Sequence, residues 1–438
     1  MKNSIKIGIA AILLGTALSG FAQEKRALQY DRMPGKAGVN VFETSKEDTV
    51  GYDGLKVRVG GDFAMQFQGI TQGNDLGSLA KLGKNLNLPT ANFNIDVQLE
   101  DGLKMHLRTY LSARHHEESW VKGGHIQMDK LDFIKPGLFA GFMEIATIRI
   151  GLDEFNYGDA HFRRTDNARA IYNPFVSNYI MDAFSTEAFA EVNLQKNGLL
   201  AVLGVTNGKL NQNVNLTSRN RTTGAIVTDG TDNKISFFGK LGVDKQVNDD
   251  TRVRLTGSWY VNKGTTTGTW LYGGDRGGSR YYGVLHTKDE AADGTGSDFE
   301  GRLNARFTEL TAIQINPFIQ KGGLEFFGIY EVASGSADGN DGKYTQLAGE
   351  LLYRFGGWDQ FFAGTRYNTV KGAPVDGAPD REIQRFNIGG GMFLTKNVMM
   401  KMEYVSQKYD GDGWVGVSGD KYVGASFEGV NIEATIGF

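Results

Sequence analysis

The sequence predicts an all-β fold: a transmembrane up-and-down antiparallel β-barrel of about 16 strands, with roughly 14 to 18 as the expected range. Three observations lead to it. Segments in which apolar and polar residues alternate one by one recur along the chain, and the connections between them are alternately short and long. Glycine makes up 60 of the 438 residues, and long helical spacings are missing. Strict alternation is typical of strands whose two faces meet different surroundings.

The first 22 residues are expected to be a signal peptide. Lys2 and Lys6 form its basic part, residues 5–18 form a short apolar run, and Gly20-Phe21-Ala22 supplies small residues for cleavage after Ala22. The run is too short for a spanning helix, which needs about 20 residues. We therefore expect the mature chain to be exported. The alternative is a frayed N-terminal helix of a cytosolic protein.

Residues 23–54 are polar and irregular, and we interpret them as a periplasmic N-terminal leader. They are too few for the plug domain of an active transporter. Cleavage takes away two of the 47 basic residues and none of the 50 acidic ones, which leaves a formal net charge of −5. This balance argues against a nucleic-acid partner. The absence of cysteine excludes disulfides and thiolate metal sites.

The alternation begins at Leu55. In LKVRVGGDFAMQFQ it continues over fourteen residues, longer than the five or six of an ordinary strand. Similar segments follow as far as the C-terminus, and 55–438 is the predicted barrel. The predicted strands are 55–69, 91–100, 103–113, 124–133, 145–152, 186–196, 199–206, 234–244, 251–262, 311–321, 323–334, 343–355, 358–370, 382–394, 397–409 and 428–438.

Two of these strands have weaker patterns. The alternation of 124–133 breaks, and 311–321 contains Pro317, which has no N–H for a sheet. The connections give independent support, because short turns such as Asp101-Gly102 and Asn197-Gly198 alternate with long loops. An outer-membrane barrel has this arrangement, whereas a soluble sandwich has no reason to sort its loops by length.

The alternation also predicts which face is wet. In a membrane barrel the apolar face meets lipid and the polar face lines the lumen. A barrel of this size is too wide for its side chains to fill, and closure leaves no unpaired edge in lipid. The polar faces carry eleven basic and eight acidic residues, a mild excess that favours anions. The main residues expected to line the lumen are Arg58, Arg108, Arg149, Arg252, Arg254, Arg366, Arg385, Glu191 and Glu403.

The signal peptide, the amphipathic strands and the final alternation ending at Phe438 resemble those of Gram-negative outer-membrane porins. The layout over 55–438 looks most like the phosphate-selective porin O and P group. The resemblance implies a chain in the lipid of the cell outer membrane, inserted by the barrel-assembly machinery through Phe438. It further implies a water-filled channel for passive diffusion of small hydrophilic solutes, without enzymatic activity or cofactor. Homotrimers are common among such porins.

The resemblance also gives a role to the long loop near 153–185. In porins of this kind a long loop often folds into the barrel and narrows it. Opposed charges at such a constriction select solutes by charge and size. The alternative is a solvated surface loop, whose ion pairs contribute little. The residues expected at the constriction are Arg163, Arg164, Arg169, Asp153, Glu154, Asp159 and Asp166.

Two other functions stay open. The outer loops, especially 263–310, could bind a partner or mediate adhesion, or the barrel could be a hydrolase with a histidine and a carboxylate or serine at its rim. No metal site is expected. Side chains of the adjacent residues 115–118 (HHEE) would point in opposite directions. The Asp-rich segments 338–342 and 410–413 lack the spacing of a calcium loop, and turn chemistry explains them.

Overall fold

The barrel closes. The computed structural model describes residues 27–47, 50–113, 119–210, 217–219, 223–227, 234–264, 271–273, 280–337 and 339–438. Within these ranges sixteen antiparallel strands form one closed sheet, and two short strands form a separate hairpin. This confirms the predicted fold class. The predicted signal peptide and the segment 115–118 lie outside the described residues.

The strands succeed one another around the barrel nearly in chain order. They are β1 (Lys56–Gly73), β2 (Asn85–Glu100), β3 (Leu103–Ser112), β4 (Trp120–Met128), β5 (Ala146–Glu154), β6 (Thr186–Lys196), β7 (Leu199–Thr206), β8 (Ser218–Arg219), β9 (Ile226–Val227), β10 (Ser236–Asn248), β11 (Thr251–Asn262), β12 (Glu309–Lys321), β13 (Leu324–Ala337), β14 (Asn340–Phe355), β15 (Phe361–Ala373), β16 (Arg381–Thr395), β17 (Val398–Asp410) and β18 (Ser426–Gly437). Strands β8 and β9 form the separate hairpin.

The described helices are short. They are α1 (Ala140–Met143) and α2 (Lys288–Asp293), with a few 3-10 turns besides. Among the described residues, no helix has the length and apolar character needed to cross a membrane.

The last strand seals the barrel against the first. Gly437 lies opposite Asp62, and Ser426 lies opposite Gly73. Along β18 the side chains of Val430, Ile432 and Ile436 are exposed on the outside, whereas those of Asn431, Glu433 and Thr435 are fully buried inside. The predicted pairing of the two terminal strands is confirmed, and so is the direction in which their side chains point.

The outer wall carries a broad band of exposed apolar side chains. Leu255, Ile315, Leu351 and Ile388 are examples from different strands. Soluble monomers rarely expose so large an apolar surface, which instead marks contact with lipid or with another protein. The inner face has the opposite character, because most of the buried charged residues of the strands point into the lumen.

Two strands depart from simple alternation. Strand β4 begins four residues before the predicted 124–133 and ends five residues before its end, at Met128, and its pairing with β3 shifts register between Val121 and Gly123. Strand β12 contains Pro317, which lies opposite Leu255 of β11. On the other side the pairing of β12 with β13 is interrupted between Ile315 and Phe318. A proline is tolerated there because no ladder bond to its missing N–H is required.

The two ends of the barrel differ. We call the end that carries the β2–β3, β4–β5, β6–β7, β10–β11, β12–β13, β14–β15 and β16–β17 turns the short-turn end, and the opposite end the long-loop end. Three segments enter the lumen: the leader (described at 27–47 and 50–54), the inner loop (155–185) and the outer loop (described at 271–273 and 280–308). Apolar side chains of the inner and outer loops pack together near the long-loop end.

Candidate functional site in the barrel lumen

The inner loop crosses the lumen between β5 and β6. All its residues except Phe162 and Arg169 are buried. Side chains of the far wall hold its backbone: Asn368 accepts the N–H of Ile180, and the Lys401 ammonium donates to three carbonyl groups of the loop. The loop therefore reduces the free cross-section of the barrel, and its charged residues face either the wall or the remaining space.

Arg163 and Arg164 anchor this loop. Arg163 Nη2 lies 2.6 Å from Glu350 Oε1, and Arg366 approaches the same carboxylate from β15 at 2.7 Å. Arg164 pairs with Asp182 at 2.6 Å inside the loop itself. The side chains of these residues are almost inaccessible to solvent. They therefore fix the path of the loop and do not face the free space of the lumen.

Asp159 ties the beginning of the inner loop to β10 and β11. Its carboxylate lies 2.8 Å from Lys240 Nζ and 2.7 Å from Arg254 Nε. Burial alone would raise the pKa of Asp159, but Arg254 and Lys240 outweigh that effect and lower the pKa to about 2. Asp159 is therefore ionised throughout the neutral range.

Asp166 and Arg169 lie on the opposite side of the loop. Asp166 forms an ion pair with Lys122 at 2.5 Å and accepts a hydrogen bond from Arg108 at 2.9 Å. Burial opposes ionisation of Asp166, but these two cations hold its pKa well below the ordinary value. Arg169 Nη2 donates to both oxygens of Glu154, at 2.7 and 2.9 Å.

The other predicted lumen residues also point inward, and each is paired. Arg149 bonds Glu191 at 2.8 Å, and Arg252 bonds Asp244 at 2.7 Å. Glu403 accepts the Tyr281 hydroxyl of the outer loop at 2.7 Å. Arg385 donates to the carbonyl of Asn178 and to Gln407. The lumen is thus a network of ion pairs between strands and loops.

A cavity of about 200 Å³ remains between the β1–β6 wall, the leader and the inner loop. Six of the predicted residues line it: Arg58, Arg108, Arg149, Asp153, Glu154 and Arg169. The other ten contact the network elsewhere: Arg163, Arg164, Asp159, Asp166, Arg252, Arg254, Arg366, Arg385, Glu191 and Glu403.

Charges of both signs alternate across the cavity wall. Arg58 Nη2 lies 2.7 Å from Asp96, whose other oxygen lies 2.6 Å from His106 Nδ1. The ring of His125 is 5.4 Å from that of His106 and bonds Asp153 at 2.8 Å. In total six Lys or Arg and six Asp or Glu line the cavity: Arg32, Arg58, Lys104, Arg108, Arg149 and Arg169, against Asp31, Glu43, Asp62, Asp96, Asp153 and Glu154.

The described residues that line this cavity include three histidines but no serine. Across the described part of the chain, no group of three or more His, Cys, Asp or Glu side chains is arranged to hold a metal ion. The arrangement offers many hydrogen-bond donors and acceptors with fixed partners. Such a surface suits contact with water and small polar solutes.

The leader contributes cavity residues that sequence reasoning missed. Asp31, Arg32 and Glu43 come from a segment without periodicity, so no pattern indicated that it enters the barrel. His106 and His125 are a different case. His106 stands on the polar face of a predicted strand, and its lumen position follows from alternation alone.

No protein-family model and no curated protein matches the chain. It is similar to several solved structures. OmpT, an outer membrane protein of Vibrio cholerae folded in vitro, is 10% identical, with a TM-score of 0.47, covering 89% of this chain and 99% of that one. An anion-selective porin from Comamonas acidovorans is 11% identical, with a TM-score of 0.49, covering 88% and 100%. OmpF of Salmonella typhi, complexed with daunomycin, is 11% identical, with a TM-score of 0.47, covering 88% and 98%.

Proposed function

We propose that the chain is an outer-membrane porin, a channel for passive diffusion of small hydrophilic solutes. The observation that carries this proposal is the inverted polarity of a closed sixteen-strand barrel, with apolar side chains outside and polar and charged side chains inside. In lipid, such a wall leaves no backbone group unpaired at an edge. Outer-membrane barrels have short turns on the periplasmic side, so the short-turn end faces the periplasm.

The cavity supports a channel with weak charge preference. The sequence predicted a mild anion preference from an excess of basic residues on the strands. Around the cavity, however, the six basic residues are balanced by six acidic ones. We therefore expect the size of a solute and its hydrogen bonding to matter more than the sign of its charge. That the chain belongs with the phosphate-selective porin O and P group stays a prediction from the resemblance.

The proposed constriction lies where the inner loop meets the β1–β5 wall. Arg169 and Glu154 line the free space there, and the Arg108–Asp166 pair joins the loop to β3. Ionised groups held on both sides of a narrow passage produce a local field across it. We therefore propose that the constriction is formed only by those predicted residues that border the cavity, and not by the whole inner loop.

Solute entry into proteoliposomes tests the function. Vesicles loaded with an impermeant polymer swell when an uncharged sugar enters through the protein, and we expect the swelling rate to fall steeply as the sugar grows. Vesicles prepared with heat-unfolded protein are the control. Swelling no faster than in that control, for the smallest sugars, would overturn the proposal.

The other functions have less support. Much of the described outer loop is buried in the lumen, as Tyr281, Val284 and Leu303 show, whereas residues 286–300, which include α2, contain no buried residue. This favours a role inside the barrel over adhesion. A hydrolase would use the His106–Asp96 or His125–Asp153 pair as a base, and release of product from ester or peptide substrates would reveal it. A homotrimer stays a prediction, which native mass spectrometry in detergent tests.

A further inference from the structure

The leader follows an unusual path. It lies inside the barrel at the short-turn end, where Leu28 and Phe42 are buried. It belongs to none of the strand pairings in the described part of the chain. Its contacts are instead made with the ends of the hairpins that surround it.

These contacts follow the circular order of the hairpins. Gln29 bonds Asp101 of the β2–β3 turn, the N–H of Lys36 bonds the Lys396 carbonyl of the β16–β17 turn, and the Lys36 ammonium lies over Trp358 of the β14–β15 turn. Next, Asn40 bonds Glu325 at the start of β13 and Arg252 at the start of β11, and Thr44 bonds Gln195 near the end of β6. Finally, Lys46 bonds Asp129 and Ala146 on either side of the β4–β5 connection, and Tyr52 bonds Leu99 beside the β2–β3 turn. The described parts of the leader therefore contact hairpins all the way around the inner rim.

The length of the leader suits this circuit. From Gln29 to Tyr52 an extended chain reaches at most about 80 Å. Sixteen strands spaced about 4.8 Å apart have a perimeter of about 77 Å or more, and a ring inside them is shorter. A segment of this length can thus line the whole rim, and it occupies space that would otherwise be open.

Buried ion pairs fix the leader to the wall. The Glu43 carboxylate lies 2.7 Å from Arg254 Nη1 and 3.2 Å from Lys240 Nζ. On the other side, Asp31 lies 2.6 Å from Arg58 and 3.0 Å from Lys104. Lys46 adds a third anchor through Asp129. Charges are costly to bury without partners, so these anchors act together to hold the segment in one place.

We propose that the leader is a collar that sets the width of the short-turn mouth and thereby limits which solutes reach the cavity. The inference rests on the proposed channel function. Asp31, Arg32 and Glu43 belong both to the leader and to the cavity lining. The leader is thus a selectivity element supplied by the N-terminal segment, in addition to the inner loop.

Removing the collar should widen the channel without opening the sheet. A variant that lacks residues 28–52 still contains every residue of the described strand pairings. We expect its single-channel conductance to rise about twofold or more, since conductance follows the free cross-section. Equal conductance of the two proteins would overturn the collar. Absence of current from both would instead count against the channel.

Point variants cover the case in which the deletion fails to fold. Glu43→Gln removes the charge between Arg254 and Lys240, and we expect a larger or more strongly fluctuating current. Glu47→Gln is the matched control, because it makes the same chemical change at an exposed position of the same segment. Identical currents for the two variants and the unmodified protein would contradict the proposal.

A labelling experiment is independent of current. The chain contains no cysteine, so Asn193→Cys introduces one thiol on the cavity wall. A bulky charged thiol reagent added from the short-turn side should react several-fold faster when Glu43→Gln or the deletion is present. An unchanged rate would overturn the collar even if the protein carries no current at all.

Discussion

The Arg169–Glu154 pair joins the inner loop to the end of β5, and both side chains line the cavity. Arg169→Gln removes the cation beside Glu154, and Glu154→Gln removes the nearer of the two carboxylates beside Arg169, which leaves Asp166 at 3.8 Å. We expect the first variant to shift the reversal potential in a KCl gradient towards cation preference, and the second to shift it towards anion preference. Shifts of the same sign, or no shift in either variant, would remove this pair from the constriction.

Glu350 tests how much the buried network stabilises the barrel. Its carboxylate serves both Arg163 and Arg366, so Glu350→Gln leaves two buried cations without a full counter-charge. Breaking such a pair typically destabilises a protein by about 3–5 kcal/mol. Urea unfolding in detergent micelles measures this change.

The matched control is Asp380→Asn. Asp380 and Lys371 are 3.7 Å apart but half-exposed, with side chains 51% and 57% accessible. An exposed pair contributes about 0–1 kcal/mol. Equal losses for the two variants would show that the lumen is as well hydrated as the outer surface.

Residue types and their spacing predict which face of the wall a side chain points to, but not which residues it contacts. Alternation places Arg58, Arg254 and Arg366 on the inner face, as the structure has them. It cannot separate Arg163 and Arg164, which anchor the inner loop, from Arg169, which borders the cavity. That distinction depends on contacts between segments far apart in the chain, and a local pattern does not contain it.

Among the elements, β14 gives a direct test of the lipid-facing wall. Leu347 in its middle and Tyr353 near its end are both 55% exposed on the outer face. In a bilayer, an arginine on the lipid face costs about 2–4 kcal/mol at the midplane and about 0–1 kcal/mol near the interface. We expect Leu347→Arg to reduce the free energy of unfolding in lipid vesicles by the larger amount and Tyr353→Arg by the smaller. Equal, small effects would contradict a membrane position.

The leader has a predictable pH dependence. Burial would raise the pKa of Glu43, but Arg254 and Lys240 hold it well below the ordinary value of 4.5. A depressed pKa means that ionised Glu43 stabilises the collar at neutral pH. This stabilisation is lost only as the pH falls below about 4.5 towards the lowered pKa. Nearby Asp159 has a pKa of about 2, and buried His161 has a pKa well below normal, so neither titrates between pH 5 and pH 8.

We therefore expect the ratio of conductances, collar-deleted to full-length, to stay constant from pH 8 to pH 5. It should fall towards one only in more acidic solution, as the collar detaches. Bilayer currents recorded for both proteins over this range measure the ratio. A ratio that changes near pH 6 to 7 would mean that a different group controls the leader.

The strands of the barrel could be predicted from the sequence better than the segments that lie inside the barrel. Each predicted strand corresponds to a barrel strand, because alternation is imposed by the two faces of the wall. Strand β4 was displaced where Gly123 and a register shift interrupt the pattern. The path of the leader could not be predicted, since it is fixed by ion pairs with residues up to about 200 positions away.

At the scale of the whole molecule, the closed wall and its contents follow different rules. The strands of the wall follow a two-residue period, interrupted at a few bulges and register shifts. The lumen is filled by three irregular segments, the leader, the inner loop and the outer loop, which meet through buried charges and aromatic rings. In the proposed channel, these segments and not the number of strands would set the pore size. We accordingly expect a conductance well below that of an empty barrel of the same size.

Single-channel recording in planar bilayers tests the central claim most directly. Purified, folded protein should insert and produce discrete current steps whose size rises nearly in proportion to the KCl concentration, because a water-filled lumen conducts like its bathing solution. Its reversal potential in a KCl gradient should lie near zero, as the balanced cavity charges require. A folded protein that inserts into the bilayer but carries no current at any salt concentration would contradict the account.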